Sequence, residues 1–193
     1  MNLNENINRI KQVMGLLNEH SYGKIKDGVK ELFNENPILA SIGSPEQYSQ
    51  YLDTIFPDSK VKHIVYHRTK SEKFDVFNNG TENYLKNDTY TKDGIYFNNN
   101  INSGKEVYGK NIIAALVNIK NPYLFKEEPL FAKEGDNPKN LSINSIDKNK
   151  LDDEDGVLFK LGLKGQTIVF EPNQIHILGS KDDIIGFENF VKK

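Results

Sequence analysis

The positions of apolar residues in the first part of the chain predict helices. In residues 3–17 apolar side chains recur every three or four positions, and polar side chains occupy the opposite face. That spacing is typical of an amphipathic helix. Residues 18–24 are polar and include a glycine, which indicates a linker. A second helix is predicted for residues 25–34.

A third helix has the clearest boundaries. Ser44 can cap its first turn, Pro45 suits the first helical position, and Gln47 completes a capping box. The apolar face that the spacing predicts consists of Tyr48, Tyr51, Leu52 and Ile55. Pro57 ends the helix, because proline has no backbone N–H to continue it.

Beyond Pro57 the pattern changes to short apolar runs that are typical of β-strands. They are rich in Val, Ile, Phe and Tyr, and Gly, Asn, Asp or Pro bounds each one. The runs occupy residues 63–67, 94–98, 111–119, 156–161 and 166–171. The longest polar connection, residues 126–155, contains a predicted helix at residues 145–151, and residues 181–193 predict a last short helix. The pattern therefore predicts an α+β fold with a helical N-terminal part.

Composition and charge narrow the class of protein. A chain of 193 residues with 37% hydrophobic residues is expected to form one globular domain. Its net charge of -2 provides no overall field that would attract nucleic acid or anionic lipid. The absence of cysteine excludes disulfides and thiolate catalysis. No apolar run reaches the roughly 18 residues that cross a membrane, and no secretion signal is recognisable, so we expect a soluble, cytoplasmic protein.

Several other features are predicted to be structural. The histidines at positions 20, 63 and 176 lack the spacing of metal ligands, so no metal site is expected. The segments GLKGQ and SGKEVYG lack the full pattern of a phosphate-binding loop. The acidic segment KLDDEDG lacks the spaced ligands of a calcium loop.

Three motifs associated with predicted strands point to a specific chemistry. They are VYHRT at residues 65–69, DGIYFNNNINSGKEVYG at residues 93–109 and QTIVFEPNQIHI at residues 166–177. Their order and spacing resemble the ADP-ribosyltransferase fold of the diphtheria-toxin and poly(ADP-ribose) polymerase type, especially the branch found in phage polyvalent proteins. The resemblance covers roughly residues 58–180. It implies a split antiparallel β-sheet core and NAD as co-substrate.

The first motif supplies the expected anchor for the adenosine half of NAD. The resemblance implies that His67 hydrogen-bonds the adenosine ribose and that Thr69 is the small hydroxyl residue that helps to hold it. An imidazole suits this task because a rigid ring offers one donor and one acceptor. Arg68 stands where the family usually has glycine. The backbone of that position normally approaches the nicotinamide amide, so the Arg68 N–H and C=O keep this contact available while its side chain can alter it.

The second motif is similar to the family's Gly-Ile-Tyr-Phe strand, which begins here at Gly94, followed by a helix that ends in another tyrosine. The resemblance implies that Tyr96 and Tyr108 sandwich the nicotinamide, and flat aromatic rings suit a flat, electron-poor pyridinium. The gap between the tyrosines is one residue longer than in the polymerases. The serine that holds the nicotinamide amide is therefore either Ser103, or it has been replaced by Lys105.

The third motif bears on the rate of the reaction. The family reads Glu-Tyr-Ile-Val-Tyr-Asp, two further residues, and then Gln-Ile or Gln-Val. The catalytic glutamate falls on Gln166, and a downstream structural glutamine falls on Gln174. Gln166 can orient the nicotinamide ribose through its 2'-hydroxyl but brings no negative charge, a loss of about 2.7–4 kcal/mol for one well-placed stabiliser. Glu171 lies five residues further on, and period-2 alternation turns it to the opposite face, so we do not expect it to substitute.

The chain divides into three predicted parts. Residues 1–20 form an amphipathic segment that either packs on its own domain or acts as a targeting peptide. Residues 21–57 form a helical lead-in. Residues 58–193 form the ADP-ribosyltransferase-like domain.

Two hypotheses on function follow. The favoured one is an NAD-dependent mono-ADP-ribosyltransferase of the host cytoplasm, with a protein as the expected target and nucleic acid as a further class. The alternative is a protein of the same fold with weak or lost activity that acts as a phage particle-associated or interaction protein. Leu17 and Glu19 match the Leu-x-Glu processing sites of prohead proteases, which predicts cleavage after Glu19 and contact with a phage capsid. Both hypotheses hold together for an enzyme packaged in a virion.

Overall fold

A computed structural model describes residues 24–77, 94–103, 108–125, 153–159 and 165–193. The helices predicted at residues 3–17 and 145–151 lie outside these segments, and so does the predicted cleavage site after Glu19.

The described segments contain four helices, and three of them were predicted. They are α1 (Val29–Glu35), α2 (Ile38–Ile42), α3 (Pro45–Ile55) and α4 (Lys181–Val191). The capping box predicted for α3 is confirmed. The Ser44 hydroxyl accepts a hydrogen bond from the Gln47 N–H at 3.3 Å, and the Gln47 side chain accepts one from the Ser44 N–H at 2.9 Å. The five-residue α2 was not predicted, because so short a helix shows no clear apolar period.

Seven strands form one sheet, in the order β4-β5-β6-β2-β1-β3-β7. Their bounds are β1 Val65–Thr69, β2 Ile95–Asn98, β3 Asn111–Val117, β4 Pro122–Phe125, β5 Gly156–Phe159, β6 Gln166–Val169 and β7 Ile175–Ile177. The five predicted strands are all present, while β4 and β7 were not predicted. The α+β fold class is confirmed. All neighbouring strands are antiparallel except β4 and β5, which are parallel.

The sheet is divided in its middle. Neighbouring strands β1 and β3 are paired over five residue couples, and β2 and β6 over four. Between β1 and β2 only one couple is formed, Tyr66 with Asn98. Beyond this couple the ends of the two strands, at Thr69 and Ile95, are not paired with each other. The sheet therefore has the split that the resemblance implied.

Helices cover one face of the sheet, and a second core fills the other. On the helical face Tyr66 of β1 and Leu116 of β3 pack among the buried residues of α1, α3 and α4. On the opposite face Val65, Phe97 and Val117 belong to a separate cluster of buried apolar residues. This alternation along β1 and β3 follows from the period of two in a β-strand.

Helix α1 begins at Val29 rather than at the predicted residue 25, because Gly28 occupies its N-cap with a φ of 91°. A side chain at Gly28 would meet the Tyr66 hydroxyl at 2.2 Å. Glycine is therefore required here, both for the left-handed backbone and for the close approach of α1 to β1.

A buried carboxylate joins α4 to α3 and β7. Asp183 is fully buried and accepts hydrogen bonds from the Tyr48 hydroxyl at 2.5 Å, the Gly179 N–H at 2.8 Å and His176 Nε2 at 2.8 Å. Burial, followed by the charge of Asp183, raises the pKa of Tyr48, so the phenol remains a donor. The carboxylate is satisfied by neighbours on three separate elements, as a buried charge requires.

We expect Asp183→Asn to lower the free energy of unfolding by about 2–4 kcal/mol, because an amide turned toward these donors leaves at least one of them unpaired. Urea unfolding of the purified variant measures this. Asp182→Asn is the matched control, since Asp182 lies in the same first turn of α4 but is exposed. Equal losses in the two variants would show that the buried network adds nothing beyond the helix-dipole effect.

Candidate active site

The first predicted site residue, His67, bridges the split between β1 and β2. Its Nδ1 lies 2.9 Å from the carbonyl oxygen of Tyr96. A carbonyl can only accept, so Nδ1 must carry the proton. When the ring is neutral, this leaves Nε2 as a hydrogen-bond acceptor. The His67 side chain thus links β1 to β2, in addition to the single residue pair that their backbones form.

Aromatic rings fix the orientation of the His67 imidazole. Phe77 meets it edge to face with ring centroids 5.1 Å apart, and Phe97 does so at 5.8 Å. Burial lowers the pKa of His67, and the hydrogen bond to the Tyr96 backbone opposes that shift only in part. The imidazole is therefore neutral at pH 7, which is the form that an anchor of a ribose hydroxyl requires.

Gln166 opens β6 two strands away from His67. It pairs with Asn98 in the ladder, while Tyr96 pairs with Ile168. Gln166 and Tyr96 are therefore diagonal neighbours on one face of the sheet, roughly 7–8 Å apart. Gln166 is half-buried, and Tyr96 is 39% exposed.

Gln174, which the resemblance aligns with a structural glutamine of the family, joins three strand ends through its side-chain amide. Its side-chain oxygen accepts from the N–H groups of Phe170 and Glu171, at 3.0 and 2.8 Å. Its side-chain nitrogen donates to the carbonyls of Asn118 and Asp155, at 2.9 and 2.6 Å. Four hydrogen bonds from one amide join the ends of β6, β3 and β5, as expected of a structural glutamine.

The alternation that was expected to turn Glu171 away from Gln166 does not reach Glu171. Strand β6 ends at Val169, so alternation along the strand does not extend to Glu171. The Glu171 side chain instead accepts from the Gln174 N–H and caps the short 3-10 helix Pro172–Gln174.

Arg68 turns away from His67 and reaches the connection between β2 and β3. Its guanidinium donates to the carbonyls of Ile101, Ser103 at 2.7 Å and Gly109 at 3.3 Å. Only 8% of Arg68 is exposed. Its side chain therefore contacts the segment that contains Ser103.

Tyr108 is held at the tip of β1 by the residue that follows it. Gly109 has a φ of 115°, and a side chain there would meet the Thr69 carbonyl oxygen at 2.5 Å. The Thr69 hydroxyl accepts a hydrogen bond from the Ser71 N–H at 3.0 Å. Tyr108 itself is 54% exposed, so a large part of its side chain is accessible to a ligand.

Gly94 allows β2 and β6 to lie close together beside Tyr96. A side chain at this position would meet the Ile168 methyl group Cγ2 at 2.1 Å. Ile168 is fully buried and pairs with Tyr96, so there is no room for it to move aside.

The predicted residues lie on β1, β2, β6 and the connection that follows β2, but their side chains do not all share one face. Register puts Tyr96 and Gln166 on the face of Tyr66, whereas His67 lies with Phe97 on the other. Contact between His67 and Tyr96 runs through the gap, by way of the Tyr96 carbonyl. A dinucleotide would have to cross the split to reach both groups, which sequence motifs alone do not reveal.

A cavity of about 80 Å³ among the described residues lies elsewhere, between α1 and the helical face of the sheet. It is lined by Gly28, Leu32, Tyr66, Ala114 and Leu178, among others, and by none of the predicted site residues. Across the described segments, no three His, Asp or Glu side chains are grouped as metal ligands. None of the helices in those segments has the length and apolar character needed to span a membrane.

Comparison with known proteins identifies one family. A sequence model of the family described as ADP-ribosyltransferase in polyvalent proteins matches residues 61–182, which is more than half of the chain. Searches among curated proteins and among solved structures gave no match. The matched range includes all of the predicted site residues.

The lowered pKa of His67 predicts how stability depends on pH. An unfolded histidine titrates near about 6.5, so below that pH the unfolded chain binds more protons than the native protein. Native stability should therefore fall as the pH drops from about 6.5 through the lower native pKa. We expect His67→Gln to lose this part of the pH dependence in urea unfolding at a series of pH values. His63→Gln, which alters an exposed histidine, should keep it; the same profile in both variants would contradict a partly buried, neutral His67.

Proposed function

The chain belongs to the ADP-ribosyltransferase family of polyvalent proteins, and on this basis we propose that it transfers one ADP-ribose unit from NAD to a macromolecular target, a protein in the first instance. The observation that carries the proposal is the hydrogen bond between His67 and the Tyr96 carbonyl, with Gln166 on the next strand.

His67 is proposed to hold the adenosine ribose of NAD. Its Nδ1 proton is taken up by the Tyr96 carbonyl, so a neutral ring offers Nε2 to a ribose O–H. The aromatic contacts of Phe77 and Phe97 restrict the ring to this orientation. The Thr69 hydroxyl, two residues further along β1, is proposed as a second contact to the same sugar.

The nicotinamide is proposed to stack between Tyr96 and Tyr108. Both tyrosines are at least one-third exposed, unlike the core aromatics Tyr48 and Phe97, so part of each residue is accessible to a planar ligand. Backbone groups near Gly94 and Arg68, together with Ser103, are proposed to receive the nicotinamide amide.

Gln166 is proposed to orient the nicotinamide ribose by accepting a hydrogen bond from its 2'-hydroxyl. The bond between that ribose and nicotinamide breaks as positive charge develops on the sugar, and a nucleophile of the target then bonds to the same carbon and loses its proton. A carboxylate would stabilise this charge, as in glycosidases, whereas an amide does so only weakly. Nicotinamide leaves as a neutral molecule from a cationic ring, so a slow transfer remains feasible.

The second candidate function is that of a particle-associated or interaction protein whose chemistry is weak or lost. The amide at position 166 favours it, since neither β6 nor β2 contains an acidic side chain that could take the place of a glutamate. The predicted targeting segment at residues 1–20 and packaging in a virion belong to this candidate. They are equally compatible with an active enzyme delivered into a host cytoplasm.

We expect the purified protein to release nicotinamide from NAD slowly and to label a target with ADP-ribose. Tyr96→Ala and His67→Ala should abolish both, because each removes a contact to one end of the dinucleotide. Gln166→Glu should raise the rate by about 10²–10³-fold, the effect of one well-placed electrostatic stabiliser. Chromatographic detection of nicotinamide and transfer of labelled ADP-ribose measure these changes.

Asn173→Asp is the matched control for Gln166→Glu. It adds the same charge at an exposed position of the 3-10 helix, away from the split, and should leave the rate unchanged. An inactive wild type combined with an active Gln166→Glu variant would favour the second candidate function. Normal turnover in His67→Ala and Tyr96→Ala would contradict the proposed site.

A further inference from the structure

We infer that Arg68 is a positioning residue that fixes the connection between β2 and β3, and with it Ser103 and Tyr108, against the tip of β1. This inference rests on the proposed function, because Ser103 and Tyr108 are proposed to contact the nicotinamide. Arg68 stands at the position that resembles the glycine of the family, where no side chain could do this.

Three backbone carbonyls converge on the Arg68 side chain. Its Nε donates to Ser103, and its two terminal nitrogens donate to Ile101 and Gly109. The acceptors are eight residues apart along the chain, so one guanidinium holds both ends of this connection. A planar group with five N–H donors suits three acceptors in different directions.

The charge of Arg68 makes this arrangement hard to replace. Arg68 is buried, and no carboxylate in the described segments forms an ion pair with it. The carbonyl oxygens of the connection are therefore its described partners for the positive charge. If that connection moved away, the buried guanidinium would lose its hydrogen-bond acceptors, which costs free energy. Among the 25 Lys and Arg residues, only positions 9 and 68 are arginine. Arginine at position 68 is therefore an exception in a lysine-rich sequence.

A second contact fixes the same connection. Gly109 approaches the Thr69 carbonyl so closely that only glycine fits, and Thr69 is the neighbour of Arg68 on β1. The residue before Gly109 is Tyr108. The hydrogen bond from Arg68 and the close packing of Gly109 against Thr69 together restrict the backbone at Gly109, next to Tyr108.

The functional consequence is preorganisation of the nicotinamide contacts. If the connection were loose, NAD binding would have to order it, and that cost would appear as weaker binding. Removing the Arg68 side chain should therefore raise the KM for NAD by roughly tenfold, within the range expected for ordering one or two side chains. The kcat should change much less, because neither His67 nor Gln166 is touched.

The test compares Arg68→Ala and Arg68→Lys with the wild type in two assays. Nicotinamide release gives KM and kcat for NAD, and hydrogen exchange is followed in residues 101–109 and, for reference, in α3. Arg68→Ala should raise the KM and speed exchange in residues 101–109 while exchange in α3 stays unchanged. Arg68→Lys should give an intermediate KM, since an ammonium cannot reach three separated carbonyls.

Lys62→Ala is the matched control. Lys62 also donates to two backbone carbonyls, those of Phe56 and Pro57, but in a turn that is remote in sequence from residues 101–109. It should change neither the KM nor the exchange of residues 101–109.

The outcomes separate this inference from the proposed function. A wild type that binds and consumes NAD, with an unchanged KM or unchanged exchange of residues 101–109 in both Arg68 variants, overturns the inference alone. Faster exchange throughout both variants, α3 included, also overturns it, because Arg68 would then support the whole domain. A wild type that neither binds nor consumes NAD, measured by calorimetry with NAD itself, overturns the proposed function and the role of Arg68 with it.

Discussion

The hydrogen bond from His67 to the Tyr96 carbonyl is the contact on which the candidate site depends. Strands β1 and β2 are neighbours in the middle of the sheet, yet they pair at a single couple. Beyond it, the imidazole takes over the link between the strands. The same bond fixes which ring nitrogen carries the proton, and burial keeps the ring neutral. The His67 side chain therefore both links the two strands and provides a neutral imidazole at the candidate site.

The split and the glycines around it decide what surrounds this contact. Gly94 lets β2 lie close to Ile168, and Gly109 lets the chain after Tyr108 touch the end of β1. Both are close approaches that any side chain would prevent. Tyr96 and Tyr108, which lie close to these two glycines in the sequence, are both partly exposed.

The chain belongs to the ADP-ribosyltransferase family of polyvalent proteins, and the proposed function gives Gln166 and Arg68 two separate roles. They act at different levels. Gln166 is proposed to lower the rate, because an amide brings no negative charge to the reacting ribose. Arg68 is proposed to support NAD binding, because its buried side chain holds the backbone at Ser103 and Gly109.

Local patterns in the sequence determined a large part of the fold. The capping box at Ser44 and Gln47, the five apolar strands and the last helix depend on neighbours a few residues away, so they could be predicted. The three-residue β7 and the proline-initiated β4 could not, because each is stabilised by pairing with a distant strand. The start of α1 likewise depends on Gly28 facing Tyr66, a contact between segments nearly forty residues apart.

The motifs by themselves also identified the family and its candidate residues, since residue types and spacing persist along the chain. Tertiary structure alone decided what those residues do to one another. The proton on His67 Nδ1 and the direction of the Arg68 side chain both result from contacts between segments that are distant in the sequence. Such contacts depend on register and on where the sheet splits, and a linear sequence encodes neither of these within any one motif.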